Sequence, residues 1–187
     1  MQKVSTVRAQ SQGGREASPF FVVIPCGKSK IWGKPRRLAQ LSDAVVVGEG
    51  AQAQVQARFA YTSSLFSLYL KFAEKFGGAF RILSAKYGLL EGRALIADYD
   101  ASFSRLCGLA ISQGELTSQA RLIDWSMYSK ILILGGKAYR QRAIQMLPQE
   151  HHARAVCPFE GLGLFQLQRA LADSLSNPER FLHNIAS

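Results

Sequence analysis

The chain has 187 residues, 48% of them apolar, with 23 Lys and Arg against 13 Asp and Glu and a net charge of +10. This composition excludes a disordered chain and fits a single domain. A balance this basic calls for an anionic partner: nucleic acid first, then an acidic membrane surface or a phosphorylated small molecule.

The first 18 residues are polar, with Lys3, Arg8 and Arg15 as bases and Gly13-Gly14 as breakers, and are expected to form a flexible basic tail. Residues 19–187 are expected to form one α/β domain. Phe20 to Pro25 is a short apolar, β-branched run, the pattern of a buried strand. Pro25 and Gly27 end it, and Lys28, Lys30, Lys34, Arg36 and Arg37 follow with Trp32 among them. Ala44 to Val47 fits a short strand, and residues 51–60 fit a helix. Ser63 or Ser64 suits a helix N-cap. Leu65, Leu68, Phe72 and Phe76 then recur at helical spacing, and Gly77-Gly78 is expected to close that helix.

Phe80 to Leu83 is a second buried run, followed by a loop from Ser84 to Gly92. Residues 101–114 are irregular or briefly helical. Leu116 to Tyr128 is expected to be one helix, with Leu116, Ala120, Ile123 and Met127 on one face. Ile131 to Leu134 is a third strand, Gly135-Gly136 leads into a helix from Lys137 to Leu147, and Ala155 to Cys157 is a fourth strand. Gly161 to Leu175 is the last helix. Strands alternating with helices predict a central, mainly parallel sheet of about four strands flanked by helices.

Ligands of such sheets bind beyond the carboxyl ends of the strands. Four segments qualify: Cys26 to Lys30, Ser84 to Gly88, Gly135-Gly136, and Phe159 to Gly163. The first sets Gly27 beside Lys28 and Lys30, which suits a phosphate. It is not a Walker A loop, because GxxxxGK[ST] is absent. Cys26 is either a small packed residue or a nucleophile activated by the lysines. In the second loop Ser84 and Tyr87 offer hydroxyls, Lys86 a cation and Gly88 close backbone approach. Asp98 and Asp100 follow within reach, and a carboxylate near a lysine can activate water or stabilise a developing cation. Tyr61, Tyr87 and Phe159, with Trp32 and Tyr99, are candidates for stacking on a base.

Cys26, Cys107 and Cys157 form an odd, sparse set without CxxC spacing, which argues against a disulfide scaffold and a structural zinc site. His151-His152 lacks metal-ligand spacing, so neither a metal nor another cofactor is expected. No apolar run approaches the ~18 residues of a spanning helix, and the N-terminus lacks a signal-peptide core. A cytoplasmic protein, monomeric by preference, is the expectation.

The segment Ile82-Leu83-Ser84-Ala85-Lys86-Tyr87-Gly88-Leu89-Leu90, followed by Ile96 and Tyr99-Asp100, resembles the SxxYGLL…I.PY segment of the YaaA-like superfamily. The chain looks closer still to that superfamily's uncharacterised bacterial and phage relatives. These carry a CGKxK loop, a YTxxLF segment, a SAKYGL loop and a late GLG turn, which here are Cys26 to Lys30, Tyr61 to Phe66, Ser84 to Leu89 and Gly161 to Gly163. The chain departs from YaaA itself in having Cys-Gly-Lys where YaaA has a Ser-Pro-Ala-Lys type of loop. The resemblance implies an organisation similar to enzymes of the uracil-DNA glycosylase type, with loops around a nucleobase pocket.

The expectation is therefore an enzyme acting on a flipped, modified base in DNA, an N-glycosylase whose activity on phage DNA would fit a defence role. On this reading Lys28, Lys30, Lys34, Arg36 and Arg37 hold phosphates. Tyr61, Tyr87 or Phe159 stacks on the base, with Cys26, Gly27, Ser84 and Gly88 around it. Asp98 or Asp100 positions water or stabilises an oxocarbenium-like sugar, and Lys86 binds phosphate or attacks the sugar. The alternatives are a non-catalytic DNA-binding stress protein of the YaaA type, and a transferase or hydrolase of free nucleotides or nucleosides.

Overall fold

The structure is a computed structural model that describes residues 20–42, 45–49, 52–103 and 110–186. The expected basic tail and Cys107 lie outside the described residues. Along the chain run β1 (Phe20–Pro25), α1 (Pro35–Leu38), β2 (Val46–Val47), β3 (Gln54–Gln56), α2 (Ala57–Ala60) and α3 (Ser64–Phe76). Then come β4 (Gly77–Ser84), β5 (Gly88–Leu90), β6 (Leu95–Ile96) and α4 (Gln113–Ala120). The last third holds β7 (Lys130–Ile133), α5 (Lys137–Met146), β8 (Ala155–Val156), α6 (Leu164–Ser176) and α7 (Pro178–Ala186).

The main sheet has five strands in the order β5-β4-β1-β7-β8. β1 pairs in parallel with β4 and β7, and β7 pairs in parallel with β8. These four are the strands expected from the apolar runs. β5 adds an antiparallel edge to β4. A second, three-stranded sheet, β2-β3-β6, is antiparallel.

β1 is buried along its whole length because both faces of the sheet are covered. Phe20, Val22 and Ile24 face α3, α6 and α7, while Phe21 and Val23 face α4 and α5. A two-residue side-chain period on a doubly covered strand produces this split. Full burial of each such side chain is worth about 1.5–3 kcal/mol.

The order of the strands locates the site. From β1 the chain passes over one face through α3 to β4, its neighbour on one side. It then crosses to β7 on the other side of β1 and continues through α5 on the opposite face. The segments leaving β1 and β7 therefore diverge to opposite faces, which opens a crevice at their carboxyl ends, the topological switch point of an open α/β sheet. Gly135 brings those two strand ends together. It has φ +114°, and a Cβ there would lie 2.9 Å from Pro25 Cγ.

Several expectations are corrected. Residues 54–56 form β3 before the short α2, so the helix expected over 51–60 is confined to its last four residues. Gly77-Gly78 does not simply end α3 but begins β4. The helix expected to run to Tyr128 stops at Ala120. A turn follows, and Asp124 accepts the Ser126 N–H to cap a short 3-10 turn. The break lets Trp125 enter the core, where its indole N–H donates to the Ala120 carbonyl at 2.8 Å, while Met127 is 72% exposed. α7 was not expected; Pro178 at its first position suits a helix start.

The loop expected from Ser84 to Gly92 is a tight β4–β5 hairpin. Gly88, with φ +76°, enables it and is buried against Gln119. Gln119 Oε1 accepts the Leu89 N–H and its Nε2 donates to the Tyr87 carbonyl. A Cβ at Gly88 would fall 2.0 Å from Gln119 Oε1. The Gly88→Ala variant should therefore lose about 2 kcal/mol or more, since a left-handed non-glycine residue costs roughly 1–2 kcal/mol before any clash or lost amide bond. Urea unfolding checks this.

Candidate functional site

The switch-point crevice is a two-lobed cleft divided by the Cys26–Lys28 segment and Tyr139. A small lobe of about 190 Å³ is lined by Cys26, Gly27, Lys28, Lys30, Asp100 and Tyr139, with Ala101 and Ser102. A larger lobe of about 520 Å³ shares Cys26, Gly27, Lys28 and Tyr139. It extends between the start of α3, Gly136 ahead of α5, and Leu164 and Gln168 of α6.

Each shared residue has a structural reason to be there. Cys26 follows the buried β1, and its N–H donates to the Leu83 carbonyl, which prolongs the β1–β4 pairing by one residue. Its Sγ lies 3.2 Å from Tyr139 Oη. Tyr139 sits in the first turn of α5, with its ring edge-on to Phe103 at 5.0 Å. Gly27 packs so close to Tyr61 that a Cβ would lie 3.1 Å from the tyrosine Cβ.

Lys30 bridges to Tyr61 through its backbone. Its Nζ donates to the Tyr99 carbonyl at 2.6 Å and stands 4.3 Å from the Tyr99 ring centre. Two of its three ammonium protons remain for a ligand. Among the described residues, neither Lys28 nor Asp100 has a hydrogen bond or ion pair, and both side chains are exposed. A cation and a carboxylate thus reach the small lobe uncommitted.

Beneath the cleft lies a buried hydroxyl cluster. Ser84 Oγ accepts the N–H groups of Lys86 and Tyr87 and donates to Tyr99 Oη at 2.9 Å. Tyr99 Oη and Tyr61 Oη are 2.8 Å apart. Burial first, and then the nearby Cys26 sulfur, hold the phenols of Tyr61, Tyr99 and Tyr139 above the ordinary tyrosine range. Burial also pushes Tyr69, on the wall of the larger lobe, up to about 12 against the pull of Arg140.

These phenols ionise later in the folded than in the unfolded chain, so above pH ~10 the unfolded state sheds more protons and folding weakens. Thermal melting should fall as pH rises beyond about 10. The Tyr99→Phe variant should fall less steeply. It should also lose about 1–3 kcal/mol at neutral pH, because Ser84 and Tyr61 lose a buried partner.

Five of the residues expected from sequence meet in the small lobe: Cys26, Gly27, Lys28, Lys30 and Asp100. The others are placed differently. Tyr61 is only 4% exposed, so its ring is not open to stack on a base. Ser84 is fully buried and serves the hydroxyl cluster. Tyr87 packs edge-on to Tyr99 at 5.3 Å and its hydroxyl donates to the Ala97 carbonyl. Gly88 faces Gln119 and not the cleft. Phe159 belongs to an aromatic cluster with Phe72 and Phe181 and lines neither lobe.

Asp98 turns its Oδ1 back to accept the Tyr99 N–H at 2.8 Å and is absent from both walls. Lys86 is exposed on the hairpin turn, 5.2 Å from the Tyr87 ring centre and 6.0 Å from that of Tyr99. Lys34, Arg36 and Arg37 continue the basic run outward onto α1 and line neither lobe. Sequence reasoning missed Tyr139 and Gln168. The strand-end rule marked Gly135-Gly136, and extending it by one helical turn would have reached Tyr139.

A model of a family of unknown function, DUF6884, matches residues 46–173. The match begins after the first loop, so the family region supplies Asp100, Tyr139 and Gln168 while Cys26 to Lys30 lie ahead of it. An uncharacterised protein, YfjM, of Bacillus subtilis is 29% identical over 155 residues, which is 81% of this chain and 94% of that protein. No solved structure matches the chain. Among the described residues no helix is long and apolar enough to cross a membrane.

Proposed function

The chain belongs to the DUF6884 family, and from the geometry of its cleft we propose an enzyme that hydrolyses the bond between a nucleobase and its sugar in DNA. The observation that carries this reading is the small lobe, where Lys28, Lys30 and Asp100 stand together at the switch point of the sheet. The lysines neutralise a phosphate, and Asp100 provides the carboxylate. Lys34, just ahead of α1, and Arg36 and Arg37 within it extend the positive surface toward flanking phosphates.

A base inside a duplex cannot enter such a cleft without leaving the stack, so the substrate nucleotide is flipped or already single-stranded. Asp100 accepts a proton from water as the water oxygen bonds to the sugar C1′. The C1′–N bond breaks, its electron pair stays on the base nitrogen, and the base leaves after gaining a proton. Tyr139 Oη, kept protonated by burial, lines the same lobe and hydrogen-bonds to the leaving base, which takes its proton from solvent. The products are a free base and an abasic sugar. A modified base, in phage DNA as a defence, is the substrate class this reading favours.

The test is incubation of the protein with DNA carrying varied modified bases, followed by mass spectrometry of released bases and detection of abasic sites. Free base accompanied by an equal number of abasic sites is expected from at least one substrate. Salt-dependent DNA binding with no released base from any substrate would favour a non-catalytic DNA-binding protein.

A further inference from the structure

The two lobes differ in chemistry, and this assigns parts of a nucleotide to them. The small lobe has two lysines, a glycine and a carboxylate. Its volume, about 190 Å³, lies below the roughly 300–1,000 Å³ of pockets that engulf a drug-sized ligand. The larger lobe, at about 520 Å³, falls inside that range. Its apolar surface is offered mainly by Leu65 and the exposed Leu164, with Pro25, Phe66 and Tyr69 buried behind them and Ser29, Ser63 and Ser64 at its edge, a setting mostly apolar enough for a planar ring.

The one side-chain amide in that lining is unemployed. Gln168 is half-buried on α6 and lines the larger lobe. Among the described residues its amide has no hydrogen-bond partner. Gln166, two residues before it, is used internally, accepting the Gly163 N–H at the start of α6. Gln119 is likewise consumed by the hairpin. A half-buried amide with its donors and acceptor unused beside an apolar wall has the chemistry of a base-edge reader, because a glutamine amide can donate to and accept from one base edge at once.

We propose that the larger lobe is the nucleobase subsite, with Gln168 reading the base edge, and that the small lobe holds the sugar-phosphate. Lys28 and Tyr139, common to both lobes, then stand at the junction where the base joins the sugar. This assignment rests on the reading of the cleft as a nucleotide site and adds the residue that sets base preference.

Titration calorimetry of the full chain with the four common nucleoside 5′-monophosphates and with ribose 5-phosphate tests it. The Gln168→Leu variant should weaken the best-bound nucleotide by about tenfold, the scale of one amide–base pairing, and leave ribose 5-phosphate unchanged. The Gln168→Glu variant, which removes the amide donors, should change the order of preference among the four. The Lys30→Ala variant should weaken all five probes alike. Thermal melting of each variant shows whether it is folded.

Unchanged nucleotide preference in both folded Gln168 variants would overturn the base-subsite assignment and leave the nucleotide site standing. Wild-type protein that binds ribose 5-phosphate but does not distinguish the bases would also overturn it. Wild-type protein that binds none of the five probes would remove the nucleotide reading and this assignment together.

Discussion

Truncating Phe72 to alanine should destabilise the protein by about 3–5 kcal/mol, the range for removing a fully buried phenylalanine. Phe72 has no exposed surface. Its ring meets Phe76 at 4.7 Å, Phe181 at 5.0 Å and Phe159 at 5.5 Å between centres. The substitution removes area, opens a cavity and breaks three ring contacts at once. It also loosens the seat of α7, since Phe181 packs into the same cluster. Urea unfolding should show a lower midpoint with an unchanged slope. The exposed Leu162→Ala variant should lie within about 0.5 kcal/mol of wild type. A loss below about 1 kcal/mol at Phe72 would mean that the ring is not central to the core.

The Asp100→Asn variant should lower base release by about 10²- to 10⁴-fold, the span that a positioned general base contributes. Asparagine keeps the size and the hydrogen-bonding shape of the side chain and removes the ability to take a proton. The Asp98→Asn variant should stay near wild type, because Asp98 faces its own backbone and lines neither lobe. The two carboxylates are two residues apart and chemically identical, so the contrast isolates position. Single-turnover assays on one DNA substrate measure it. Equal losses in both variants would place the catalytic carboxylate elsewhere.

That contrast also shows where sequence reading stopped. The run from Tyr99 to Asp100 was legible as a candidate segment, but which acid faces the cleft depends on the Asp98 side chain folding back to the Tyr99 N–H. No periodicity encodes that choice. The four parallel strands were legible because each is a continuous apolar run between breakers. Of the β2-β3-β6 sheet only β2 was legible, within the Ala44 to Val47 run; β3 and β6 were not, because they are two or three residues long and pair across some forty residues.

The loops at Cys26 and Ser84 were both legible as strand ends, yet only the first borders the cleft. The second turns back as a hairpin and secures Tyr99 from below through Ser84. Gly88 was legible as a point of close backbone approach, and that Gln119 is what it meets could come only from the fold. Tyr139 and Gln168 come from helices that converge on the first loop across the fold, and a helical tyrosine or glutamine carries no local mark of that role.

The ends of the sheets have a consequence for how the protein meets other chains. The main sheet terminates on β5, three residues long, and β8, two residues long. The small sheet terminates on β2 and β6, each of two residues. An edge that short exposes too few free backbone groups to template a further strand, which is one of the ways natural sheets resist edge-to-edge aggregation. A net charge of +10 adds mutual repulsion between copies. Strand addition is therefore a poor route to these sheets, and a partner has to engage side chains.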